Sequence, residues 1–509
     1  MKLIINTKPI PLSKLKNIWK GDVIVSLDDL AEKKIKSSVK VVRDAIDNNK
    51  SIYGVNTGFG PLANTRIEEK ELSLLQRNLV VSHATGVGED LPIHVVRLAM
   101  ILKLNTLAQG FSGVTLDLVD FFRDLINNAI YPCVPSKGSV GASGDLAPLA
   151  HISQALLGLG DVYFKDKKME ASIALKEIGR APYEFKAKEG LSLLNGTQIS
   201  TSIALGALFR TESLISSALI SGAMAIDAIK GSDVPLKEVI HSIRPHKGQI
   251  EVARLLRDLI QGSKIKDSHI DCNRIQDPYS IRCQPQVMGT CLGTINHVSK
   301  VLSIEANSVT DNPLVFAESN EVFSGGNFHA EPVAFVADYL ALAISEIGSL
   351  SERRIALLND ANHSGLPPFL VEDSGVNSGF MNSQITAASL ASENKSLAHP
   401  ASVDSIPTSA NHEDHVSMAT FAANRLHPMI DNSMRIIAIE LLATAQGISF
   451  HRPNKSSEII EEVIKKIRII SPVYTKDRSI SKDIEEVFLM IEDGQLDDYC
   501  KSVLPGYIN

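Results

Sequence analysis

The sequence predicts a mainly α protein built around a bundle of long helices, with small β elements near the N-terminus and around 161–170. Three observations predict it. Beyond about residue 191 the chain is dominated by long segments with apolar residues at threes and fours, clearest over 197–229, 285–304, 331–359, 383–395 and 415–446. Aromatic residues make up only 5% of the chain, and Ala, Ser, Leu and Ile fill these segments, which suits close helix–helix approach. Several segments are apolar on most faces, so they belong inside a bundle or at a subunit interface.

The elements follow in order. The opening KLIIN reads as a short strand. Residues 28–48 are helical, with Leu30, Ile35, Val39, Val42 and Ile46 mostly at threes and fours. The Gly- and Asn-rich stretch YGVNTGFGPLANT (53–65) is a loop by composition. Helical spacing resumes over 69–86 and 93–109. A second Gly-rich loop, KGSVGASGDLAP, covers 137–148. The stretch DVYFKDKKME (161–170) suggests a hairpin turning at Asp166-Lys167. The tail beyond Pro453 is more charged and reads as a peripheral helical cap. Two domains are expected: 1–200, carrying both Gly-rich loops, and 201–509, the helical bundle with its cap.

Composition narrows the function. The chain has 509 residues and a net charge of −7. Both charge signs are scattered without a basic stripe, which argues against nucleic acid as a partner. Five cysteines (Cys133, Cys272, Cys283, Cys291, Cys500) form no CxxC pair and no disulfide framework, as expected in a reducing cytoplasm. The N-terminal apolar stretch is broken by Lys, Pro and Asn and is not a signal peptide. The most apolar run, LISSALISGAMAI (214–226), is too short to span a bilayer, so no membrane association is expected.

The second Gly-rich loop carries the chemistry. Ala142-Ser143-Gly144 alone says little, since the tripeptide occurs by chance in roughly one chain in five of this length. A phosphate loop would need Gly-Lys-Ser/Thr, and a nucleophile elbow Gly-x-Ser-x-Gly; GASGD has neither. A helix start capped by Ser143 or Asp145 remains open. So does backbone cyclisation. In that reaction the Gly144 nitrogen attacks the Ala142 carbonyl with loss of water, and Ser143 then dehydrates to an exocyclic methylene. The residue types suit it. Gly144 has no Cβ to obstruct the approach, Ala142 is small, Ser143 carries a leaving hydroxyl, and Gly138 and Gly141 permit a tight loop.

The stretch GSVGASGDLAPLAH (138–151) closely resembles the signature of the aromatic amino acid ammonia-lyase family. Further segments resemble the family in the right order: SIYGVNTGFG (51–60), QRNLVVSHATGVG (76–88), LLNGTQ (193–198), QDPYSIRCQPQVMG (276–289), TDNPLVF (310–316), SGGNFHAEPVA (324–334), GSLSERRIALL (348–358) and SVDSIPTSANHEDHVSM (402–418). Coverage runs from about residue 50 to 450, and the wording is nearest to the histidine-specific members. The resemblance implies a long-helix bundle of the fumarase/aspartase-like type. It implies a protein-derived 4-methylidene-imidazol-5-one (MIO) from Ala142-Ser143-Gly144, with no external cofactor. It implies non-oxidative elimination of ammonia from L-histidine to give trans-urocanate, the step that opens histidine degradation toward glutamate. It also implies a homotetramer whose sites combine residues from several subunits.

Site residues carry over by motif. Tyr53 matches the catalytic tyrosine that takes the β-proton; a phenol titrates near about 10 and needs cations, dipoles or hydrogen bonds around it for that task. Arg282 offers a planar fork for the substrate carboxylate. Family analogy puts Tyr279 close to the prosthetic group, and Gln276 and Asn195 at its edge or on the substrate, although Asn195 alone would read as a helix N-cap. His83 and Glu413 match the residues that hydrogen-bond an imidazole, with Glu413 able to hold an imidazolium or move a proton. Phe328 lines the pocket apolarly. His412 departs from the pattern, standing where the family usually has Gln, so a titratable ring lies beside Glu413. The spacing of His412 and His415 is not that of HExxH, and no metal site is expected. An aminomutase of the same family would act on phenylalanine or tyrosine, against His83 and Glu413. A fumarase-type lyase would keep its serine loop unmodified, and a non-catalytic scaffold would have no need of Tyr53, Ser143, Arg282 and Glu413 together.

Overall fold

A computed structural model describes residues 1–48, 50–268 and 275–508. Cys272 lies outside the described residues. The bundle is assembled from Gln198–Ala228, Gln284–Glu305, Glu331–Asn359, Met381–Leu397 and Leu426–Ser449, the first four close to their expected spans. The Gln198–Ala228 helix packs against Ile93–Ala108 and three of the other long helices. All of its residues except Arg210 are buried, as its all-round apolar text requires. Arg210 escapes the core by pairing with Asp431 and Glu492, at 2.5 and 2.7 Å. This 31-residue helix is long and apolar enough to cross a membrane by length and composition, and the 214–226 run is only its middle; 94% of its most apolar window is buried inside the protein.

One buried ion pair fixes the helices against one another. Arg354 and Glu440 are fully buried, and Glu440 also accepts from Ser221 Oγ at 2.8 Å and Ser351 Oγ at 2.5 Å. The carboxylate thus joins three long helices. Its desolvation is offset only in this arrangement, so the cluster selects one register rather than adding much stability.

The structure corrects several expectations. The N-terminal strand is not alone: Lys2–Ile5 pairs in parallel with Ile24–Leu27 across the helix Leu12–Lys20. The hairpin of Asp161–Phe164 and Lys167–Glu170 turns at Lys165-Asp166, one residue early, with both residues at positive φ. The 69–86 segment is a short 3-10 turn followed by Leu72–His83, after which Val87–Asp90 pairs with Pro135–Lys137. The 415–446 segment becomes helical only at Ala419, because Met418 sits at φ +59, and it then runs as Ala419–Asn424 and Leu426–Ser449 with Arg425 between them. The tail is more than peripheral. Leu496, Cys500 and Leu504 are fully buried, and Gly506 donates to the buried Glu212 at 2.5 Å, which in turn holds Lys16 at 2.6 Å. The division expected at 200/201 falls in the first turn of Gln198–Ala228, and one apolar cluster extends from Leu3 to Leu504.

Candidate active site

The Ser143 loop lies between the strand Pro135–Lys137 and the helix Leu146–Gln154. It is fastened at both flanks. Met418 N donates to Val140 O at 2.8 Å, and Gly141 O accepts from Ser417 Oγ at 2.9 Å and Ala330 N at 3.2 Å. On the other side Asp145 N donates to Gly196 O at 2.8 Å. Asp145 occupies the N-cap position but does not cap. Its buried carboxylate accepts from Ser200 N and Oγ at 2.8 and 2.9 Å, Thr420 Oγ1 at 2.7 Å and Ser139 Oγ at 3.2 Å. Burial pushes its pKa up against these donors. The open choice between a capped helix start and a specialised loop is therefore settled against capping: Asp145 anchors the loop to two other helices.

Gly144 shows why this position tolerates no side chain. Its φ is +75°, and a Cβ would stand 2.3 Å from Gly196 O. Gly141, at φ +68°, would drive a Cβ to 2.3 Å from Ser417 Oγ. The chain is thus held in a tight, glycine-dependent bend on either side of Ala142 and Ser143, and the missing Cβ at Gly144 leaves its nitrogen sterically unencumbered. These residues fit an MIO group.

Ala142 and Ser143 open into a cavity of about 1120 Å³. Ser143 Oγ donates to Glu413 Oε1 at 2.6 Å. The other oxygen, Oε2, accepts from Thr408 Oγ1 at 2.6 Å and Ser409 Oγ at 2.8 Å. Burial raises the Glu413 pKa, but the three hydroxyl donors and the nearby His412 outweigh it, and the net shift is below the ordinary 4.5. Glu413 is a carboxylate at neutral pH. Its position is set by a bend in which Ser409, Ala410 and Asn411 all have positive φ, closed by backbone bonds in both directions between Thr408 and Glu413. Three successive non-glycine residues in this region carry a conformational cost that the surrounding contacts sustain. His412 and His415 lie in this irregular segment rather than on one helix.

Other expected residues line the same cavity: Tyr53, His83, Asn195, Phe328 and His412. The Tyr53 hydroxyl accepts from Gly60 N at 3.1 Å, and its ring meets Phe59 edge-on. His83 Nδ1 lies 2.8 Å from Leu79 O. A carbonyl only accepts, so Nδ1 carries a hydrogen, and in the neutral ring Nε2 is the acceptor. Asn195 is 4% exposed and does not cap the helix that follows; it ends Glu189–Leu194, and its Nδ2 donates to Asn312 O at 2.9 Å.

The remaining three stand apart. Gln276, Tyr279 and Arg282 are not among the described lining residues. Gln276 is exposed, Tyr279 is 70% exposed, and the Arg282 guanidinium lies over the Tyr279 ring at 4.6 Å. Arg282 Nε and Gln286 Oε1 are buried without hydrogen-bond partners among the described residues.

Sequence reasoning missed Thr408 and Ser409, the donors that fix Glu413, although both lie inside the SVDSIPTSANHEDHVSM segment. It also missed Lys103, whose Nζ donates to Asn195 O at 2.5 Å. Its only signal was a lysine with apolar neighbours on both sides, in AMILKLN.

Comparison with known proteins agrees with this geometry. The family model for aromatic amino acid lyase matches residues 10–469. The chain is 53% identical over 490 residues to the histidine ammonia-lyase of Legionella pneumophila (strain Corby), covering 96% of this chain and 97% of that one. It is 53% identical over 493 residues to the histidine ammonia-lyase of Vibrio cholerae serotype O1, covering 97% and 96%. The crystal structure of histidine ammonia-lyase from Trypanosoma cruzi superposes with a TM-score of 0.91 at 38% identity, covering 99% of this chain and 96% of that one. A helical bundle, a clamped Ala-Ser-Gly bend and a near full-length match lead to one conclusion: the chain belongs to the aromatic amino acid lyase family.

Proposed function

We propose that this protein is a histidine ammonia-lyase, eliminating ammonia from L-histidine to give trans-urocanate. The observation that carries this is the pairing of Ser143 with Glu413 at 2.6 Å in a cavity that His83 also lines. Cyclised and twice dehydrated, Ala142-Ser143-Gly144 supplies an electrophilic methylidene carbon, so no cofactor from outside is needed. Glu413, ionised at neutral pH, accepts an imidazole N–H of the substrate, and His83 Nε2 accepts from a second donor when the ring is protonated. A pocket with such partners rejects a benzene ring by leaving them unpaired. Tyr53 takes the β-proton. Asn195 and His412 border the reacting groups, and Phe328 closes the apolar side.

The substrate carboxylate is assigned to Arg282, with Tyr279 and Gln276 beside it, brought from a neighbouring copy in a homotetramer. The exposed Tyr279 and the unpartnered Arg282 Nε support this. So do Phe335, Tyr339 and Leu342, which leave an apolar face of Glu331–Asn359 open at 60, 46 and 52% exposure, a face that a neighbouring copy would cover. We assign 1–200 to the region that carries the reactive loops, 201–509 to the bundle that supports them, and the enzyme to the cytoplasm.

The test offers purified protein L-histidine, L-phenylalanine and L-tyrosine separately and follows the conjugated product by ultraviolet absorbance. Turnover of L-histidine is expected. Activity confined to phenylalanine or tyrosine would overturn the substrate. Intact mass should fall two waters short of the translated chain, and an unmodified mass would overturn the prosthetic group.

A further inference from the structure

Lys103 lies on the Ile93–Ala108 helix and is 1% exposed. Among the described residues it forms no ion pair. Its Nζ instead donates to two backbone carbonyls, Asn195 O at 2.5 Å and Ser192 O at 3.2 Å. The nearby Lys188 is equally buried but has Asp311 at 3.0 Å. An ammonium removed from water without its own counter-ion is costly, and an apolar side chain would fill the same space without that cost. The fold sustains the cost at one turn, residues 195–197. That turn supports the reactive loop. Gly196 bridges to Gly144, Gly196 O receives Asp145 N, and Asn195 lines the cavity.

We propose that Lys103 is a positioning residue for ammonia elimination: its ammonium holds the Ser192 and Asn195 carbonyls, keeps Asn195 and Gly196 in register beneath the Ser143 loop, and by losing its proton sets the alkaline limit of turnover. The proposal rests on the ammonia-lyase assignment above. Burial, the largest influence, pushes Lys103 down; Asp311 and Asp145 oppose this, Lys188 adds to it, and the result is about 8. Below that pH the ammonium makes charge-assisted bonds to both carbonyls. Above it a neutral amine has one hydrogen fewer and no charge, and the bonds weaken. Turnover therefore falls as pH rises through about 8.

The experiment measures kcat for L-histidine from about pH 6 to about pH 10, because kcat reports groups in the complex rather than the free substrate's amine. Intact mass is recorded in parallel. Wild type is expected to show an alkaline limb near pH 8. In Lys103→Met that limb disappears and kcat at neutral pH falls about 10-fold, while the mass still lacks two waters. Asp311→Asn removes a facing carboxylate and should move the limb to lower pH. A wild-type kcat that stays flat to about pH 10 overturns the proposal without any variant. So does Lys103→Met that keeps wild-type kcat, or that loses activity uniformly and retains the limb. If Lys103→Met does not fold, wild type and Asp311→Asn decide, and an unmoved limb in the latter overturns it. Wild type without turnover of L-histidine or without the mass deficit would instead overturn the underlying assignment.

Discussion

The Ser143 loop and the Arg282 segment were both marked by reactive side chains, and the fold treats them oppositely. The loop is secured on every side. Asp145 binds groups on two other helices and on the loop itself, Gly141 and Val140 are tied to 417–418, and Ser143 reaches Glu413. In the segment 275–283 Asp277 is buried and accepts from Ser232 N at 2.7 Å, but Tyr279 points to solvent, and Arg282 rests on it with a buried nitrogen that has no partner among the described residues. Geometry that must bring atoms of one backbone together is completed within the chain. The groups assigned under the proposed function to the substrate carboxylate are instead displayed, as use by another copy would require.

Four substitutions test that contrast. Ser143→Ala has the largest effect. The mass deficit should vanish and kcat should fall on the order of 10³-fold or more; a variant that kept full activity would remove the chemical basis of the assignment. Tyr53→Phe, inside the same cavity, should retain the mass deficit and lose about 10²- to 10³-fold in kcat. An absent mass deficit there would give Tyr53 a part in cyclisation instead. Arg282→Met should raise KM for L-histidine about 10- to 10²-fold, the worth of a charge-assisted pair. Mixed and refolded with Ser143→Ala, it should recover activity at low L-histidine beyond what either variant shows alone, because some sites then combine an intact loop with an intact arginine. No recovery would mean that each site is complete within one chain. His83→Leu should be mildest, raising KM about 10-fold and narrowing the preference for L-histidine over L-phenylalanine, read as the ratio of kcat/KM.

Much of this was legible in the sequence, for identifiable reasons. Helices such as Glu331–Asn359 repeat their apolar residues over many turns, so their limits stand out. The Ser143 loop is legible because its glycines are needed where a Cβ would collide with Gly196 O or Ser417 Oγ. What was hidden depends on contacts between residues distant in sequence. The parallel pairing of Lys2–Ile5 with Ile24–Leu27, the break at Met418 and the attachment of Gly506 to Glu212 leave no periodic trace. Thr408 and Ser409 are ordinary loop residues until the left-handed bend aims them at Glu413. Asp145 looks like a helix cap until Ser200 and Thr420 are brought to it.

The bond between Ser143 and Glu413 has a further consequence for the newly made chain. Glu413 Oε2 is engaged by Thr408 and Ser409, whereas Oε1 is held by the one hydroxyl that the proposed maturation would discard. On the proposed function, the nascent protein carries a placeholder in the seat assigned to the imidazole. Losing that hydroxyl would then arm the site and vacate it in the same event, so a chain that had not matured would be both unreactive and already occupied.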